Sequence, residues 1–180
     1  VVAWWQGREL ALAVDATTLK DRIVVLTISV GYRGCAIPVA WQVRPATAAG
    51  EWMPLILDLV ERLAPAVPAG GTVLVRSDRG LWRPRLWAAA RRPGWHPLLR
   101  LQRSATFRPA GHTRRVRADT LVPGPNHAWV GAGVAFRAKP DRLAGTLVVV
   151  WDAGAAEPWV LLTDLPPEAV GVCWYGLRAW

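Results

Sequence analysis

The sequence predicts an α/β domain, a mixed five-stranded sheet flanked by helices, and three observations predict it. Three apolar, β-branched runs joined by very short connections open the chain; connections that short force an antiparallel meander. Two amphipathic stretches then alternate with two further apolar runs, as crossover helices between strands do. Two of the apolar runs end in an aspartate, Asp15 and Asp78.

Leu10–Thr18 is the first predicted strand. Its apolar residues lead up to Asp15, and small hydroxylated residues follow. Burying a lone carboxylate costs several kcal/mol unless it is paired, hydrogen-bonded or metal-bound. The plainer alternative is an Asp that begins a turn after a strand. Thr72–Ser77 repeats the design, with Asp78 at its end and Gly80 letting the chain turn away. Two strands each delivering a carboxylate at the carboxyl end point to a shared metal site.

The remaining elements follow in order. Asp21 and Arg22 make a turn into the second strand, Ile23–Val30. The turn Gly31–Gly34 leads to the third, Cys35–Val43, where Pro38 marks an edge strand because proline cannot donate to a ladder on both sides. Glu51–Leu63 reads as a helix with Pro54 in its first turn, and Leu81–Arg92 as a second with Pro84 near its start. Trp95–Arg103 supplies the fifth strand. Ala105–Glu157, with several Pro, Gly and Arg and short β runs at His127–Phe136 and Gly145–Trp151, reads as a β-rich insertion within the same unit. Pro158–Thr163 resumes a strand, and Pro166 opens a final helix that runs to the end of the chain.

Composition bounds the function. At 180 residues, 52% hydrophobic and 19% charged, the chain suits one globular domain. Its apolar runs are strand-length, which excludes a membrane-spanning helix, and no signal peptide opens it, so a cytoplasmic location is expected. The chain begins with Val1 and ends at Trp180 in a helix-like run, and is expected to be a piece of a longer protein. Cys35 and Cys173 form no CxxC pair and read as two buried, reduced thiols. The net charge of +9 and pI near 11.1, carried mainly by arginine, point to a polyanionic partner, usually nucleic acid. An Arg-rich composition inherited from a GC-rich genome is the competing explanation. His96, His112 and His127 lack ligand spacing, the tryptophans read mainly as core, and Arg108–Arg117 reads equally as a DNA-lining segment or a solvated loop.

The meander with Asp15 on its first strand, then a helix, then a strand ending in Asp78, is a ribonuclease-H-like arrangement. Asp15-Ala-Thr, Ser77-Asp78-Arg79-Gly80, and Trp159–Thr163 followed by Val172–Trp180 resemble the DDE transposases of bacterial insertion sequences, in particular those whose core is interrupted by a β-rich insertion. The resemblance covers essentially the whole chain: one core over 1–180, truncated at its carboxyl end, with the insertion at 105–157. It implies two-metal phosphoryl transfer with Mg²⁺, or Mn²⁺ in its place, held by Asp15 and Asp78 as the catalytic and metal-binding residues. It also implies transposon ends and target DNA as partners, a homodimer on DNA, and a bacterial, nucleoid-associated setting. Tyr175 and Arg178 would contact the DNA end, Arg79 would support Asp78 or bind phosphate, and Arg114, Arg115 and Arg117 would line DNA. In the family the last motif continues to a glutamate that would fall two residues beyond Trp180. Glu157, before a strand, and Glu168, two turns upstream, do not replace it. Strong cutting by this chain is therefore not expected. Two rivals share these features: a catalytically dead DNA-binding remnant, and a host nuclease of the same fold.

Overall fold

Alternating β-branched and small residues from Glu9 to Pro45 form a long antiparallel meander in the computed structural model, which describes residues 2–47 and 51–170. Strands β1 (Glu9–Leu19), β2 (Ile23–Tyr32) and β3 (Cys35–Pro45) pair in sequence, and β3 is the edge strand that Pro38 predicts. The ladder slips by one residue at Pro38: Ile28 faces Ala40 and Ser29 faces Pro38, leaving Val39 as a bulge.

Helix α1 (Met53–Leu63) begins with proline in its first turn and buries Ile56, Leu59, Val60 and Leu63. It returns the chain to β4 (Thr72–Ser77), parallel to β1. Helix α2 (Pro84–Arg91) leads to β5 (His96–Arg100), parallel to β4. The five strands so far lie in the order β3-β2-β1-β4-β5, the mixed sheet with two crossovers that the sequence predicts.

The sheet does not stop at five strands. Beyond β5 come β10 (Trp159–Thr163), β9 (Leu143–Trp151), β8 (His127–Ala135), β6 (Thr106–Pro109) and β7 (Val116–Arg117), giving ten strands in one sheet. The β-rich stretch is thus an extension of the sheet: β9 pairs with β10 over five residues, and β8 with β9 over nine. A five-stranded sheet would leave the β5–β10 side with an open edge, and these hairpins cover it.

The helix-facing side carries the main core. Leu10, Leu12 and Val14 of β1, the even-numbered Val24–Val30 of β2, Val73 and Val75 of β4, and Leu99 of β5 pack with both helices. Leu147, Val149, Val160 and Leu162 continue it along the extension. On the opposite side Leu74 and Leu98 form a small cluster with Leu161, Leu165 and Val170.

Several local expectations need correction. Helix α2 starts at Pro84 and not at Leu81, because the residue before a proline is driven out of the α region and Arg83 is extended at φ −156°. Strand β5 ends at Arg100, three residues early, where the chain turns at Gln102–Ala105. Pro166–Val170 forms a turn, with Ala169 and Val170 donating to the carbonyls three residues back, and the rest of the expected final helix lies outside the described residues. Cys35 is exposed at the edge strand, not buried, and Cys173 lies outside the described residues. Trp87 and Trp95 are core, but Trp41 and Trp52 are exposed. No helix among the described residues is long and apolar enough to cross a membrane.

Candidate active site at the ends of β1 and β4

Strands β1 and β4 run parallel and in register from Glu9 opposite Thr72 to Val14 opposite Ser77. The next residue on each strand is an aspartate: Asp15 and Asp78. Val14 belongs to the helix-side core, so alternation turns Asp15 to the other side. Neighbouring strands lie about 4.8 Å apart, and the two sequence-predicted acids are therefore neighbours, Asp78 just past the end of β4 and Asp15 inside β1, which runs on past β4 to Leu19. Across the sheet Asp15 faces Thr27, which faces Trp41 on the edge strand.

The two carboxylates are held differently. Asp15 accepts a hydrogen bond of 3.0 Å from the Thr17 hydroxyl two residues on, along the same face. Asp78 closes the loop after β4, its Oδ1 accepting the Arg79 backbone N–H at 2.7 Å and facing Arg100 Nη1 at 3.4 Å. Two places before Asp78, on the same face, Arg76 is 8% exposed. Burial lowers its guanidinium pKa to about 10.

Sequence reasoning set Glu157 aside, yet it belongs to this end of the sheet. Strand β10 runs antiparallel to β5 with Leu161 opposite Arg100, which carries the start of β10 to the end of β5. Glu157 there receives Arg79 at 2.7 Å, Arg100 at 3.8 Å and Arg103 at 3.9 Å, and the Arg100 guanidinium lies 3.9 Å over the Trp159 ring. Arg79 thus reaches Glu157 with its side chain and Asp78 only with its backbone. Spacing gave no hint of this, because the partners are far apart in sequence and meet only through the β5–β10 pairing.

The donor set at Asp15 and Asp78 is hard oxygen, which suits a Mg²⁺ that keeps several waters. Among the described residues no cluster of three or more His, Cys, Asp or Glu side chains is arranged to hold a metal ion. Glu157 is already surrounded by arginines.

The other sequence-predicted DNA contacts are dispersed. Arg117 is bound to Asp119 through two hydrogen bonds of 3.1 and 2.6 Å. That pairing raises the Arg117 pKa and lowers that of Asp119. Arg115 donates to the Val134 carbonyl at 3.0 Å. Arg114 is exposed. Tyr175 and Arg178 lie outside the described residues.

No protein-family model and no curated protein matches the chain. Among solved structures the chain is similar to the catalytic domain of human Endonuclease V, with 12% identity and a TM-score of 0.44 over 97% of this chain and 76% of that one.

Proposed function

We propose that this chain is the catalytic core of a metal-dependent enzyme acting on DNA phosphodiesters, ribonuclease-H-like in architecture and of the DDE transposase kind. The observation that carries the reading is the placement of Asp15 and Asp78 one register step beyond the last pair of two parallel central strands. The strand order β3-β2-β1-β4-β5 and the net charge of +9 support it. Asp15 and Asp78 would hold Mg²⁺ or Mn²⁺; bound divalent ions activate a water or hydroxyl and stabilise charge on the transferred phosphoryl group. The chain's own residues do the rest. Arg100, propped on Trp159, presents a cation for a phosphate beside Asp78, and Arg79 has a supporting role, its backbone N–H held by Asp78 and its side chain by Glu157. Thr17 orients Asp15. A homodimer joining transposon ends to target DNA is the finer form of the reading, with Tyr175 and Arg178 at the DNA end.

One observation favours a second reading, a DNA-binding module without catalysis. Asp78 and Glu157 already face arginines, and no third carboxylate completes a metal cluster among the described residues.

Titration of the chain with Mn²⁺, followed by electron paramagnetic resonance, separates the two. Catalytic architecture predicts a bound ion whose affinity falls at least about tenfold in Asp15→Asn and in Asp78→Asn, with duplex DNA binding retained. Mn²⁺ binding that is absent, or equal in all three proteins, would move the assignment to the binding module.

A further inference from the structure

The β-rich end of the sheet assembles an arginine cluster that motif spacing does not show. Arg108 lies on β6 opposite Val134 of β8. Arg115, from the segment before β7, is fixed by donating to the Val134 carbonyl at 3.0 Å. Arg137 and Arg142 come from the β8–β9 hairpin, where Arg142 Nε donates to the Arg137 carbonyl at 3.0 Å. Partial loss of water lowers the Arg115 pKa first, and Arg142, Arg108 and Arg137 lower it further. All three of these neighbours are cations. Arg108 also lines an open concavity of about 490 Å³ with Gly111, His112, Thr113 and Val134.

Like charges held together by backbone contacts raise the energy of the free protein, and an anion that neutralises them lowers it. Arginine, with its planar fork of donors, matches phosphate oxygens two at a time. Three separate chain segments contribute the charge.

We propose that Arg108, Arg115, Arg137 and Arg142 form a binding site for the sugar–phosphate backbone of nucleic acid. The site is built on β6–β8 and the β8–β9 hairpin. It replaces Arg117, whose guanidinium is taken by Asp119, in the set of DNA contacts expected from sequence. It does not depend on the phosphoryl-transfer reading, because it uses neither Asp15 nor Asp78.

The test is the salt dependence of duplex DNA binding by the 180-residue chain, read by fluorescence anisotropy without divalent metal. The double variant Arg137→Gln/Arg142→Gln removes two exposed side chains. Arg33→Gln/Arg44→Gln, at the β2–β3 edge, removes the same charge elsewhere. Each lost phosphate contact lowers the slope of log affinity against log salt by about 0.9, so the hairpin variant should lose about 1.8. From 50 to 200 mM salt the wild type should then lose about tenfold more affinity than the hairpin variant does. The edge variant should keep the wild-type slope. Equal slopes for the two double variants, with both proteins folded by circular dichroism, would overturn the site. So would competition by polyglutamate as effective as DNA at matched charge, since the surface would then favour acidic peptide.

Discussion

Gly133 and Gly145 face each other across β8 and β9, and neither position has room for a side chain. A Cβ on Gly133 would meet the Arg108 carbonyl and come within 2.5 Å of the Phe107 ring. On Gly145 it would meet the Thr163 carbonyl and lie 3.0 Å from the Trp87 ring. The missing side chains let two aromatic rings lie on the sheet, which in strands is a main reason for glycine. Gly133→Ala should therefore destabilise the fold by about 1–3 kcal/mol, the usual cost of overpacking, measured by urea unfolding. Asp119 offers a pH test at the same scale. Its side-chain hydrogen bonds with Arg117 hold its carboxyl below the ordinary value. A depressed folded-state pKa means stability that is present above the unfolded-state value near 3.9 and lost as pH falls through the lower, folded one. Asp119→Asn should be less stable than wild type at neutral pH, and the difference should close as pH drops below about 4. A gap that persists at low pH would show that the carboxylate's charge is not the cause.

Helix α1 shows why an element can be legible when its partners are not. Its apolar positions repeat at helical spacing, its first turn holds proline, and Pro65 follows its end, so local chemistry alone predicts a helix over 51–63, of which 53–63 is helical. Its stability comes from the face it buries. Ile56, 1% exposed, sits in the main core, and Ile56→Ala should cost about 2–5 kcal/mol in chemical denaturation. Arg62, paired with Asp58 on the solvent side at 2.9 Å, is a surface i,i+4 partner, and Arg62→Ala should change stability by no more than about 0.5 kcal/mol. Similar losses at both positions would mean that α1 is not packed as described. Strand boundaries were less legible. The end of β5 depends on which strand lies beside it, and the local pattern of Trp95–Arg103 carries no such information.

At the scale of the whole molecule, ten strands share one ladder, and the β-rich stretch is stabilised by the strands beside it. Leu99 of β5, Leu162 of β10 and Leu147 of β9 are all fully buried in one continuous core. Their amides should exchange with solvent together, at the rate of global unfolding, while β6 and β7 at the far edge exchange faster. Independent, earlier exchange of 146–150 would show a separately unfolding unit. The sequence by itself determined the meander, the two crossover helices and Asp78 just past the end of β4; Asp15, expected at the end of its strand, lies inside β1, which runs on to Leu19. Those features rest on period, turn chemistry and short connections, which act between near neighbours. Only the tertiary structure decided that five strands become ten, that Glu157 joins Arg79, Arg100 and Arg103 beside Asp78, and that Arg108, Arg137 and Arg142 come near enough to act on the charge of Arg115. Each of those depends on strand pairing between residues distant in sequence, whose register is set by the burial of whole faces and not by any local signal.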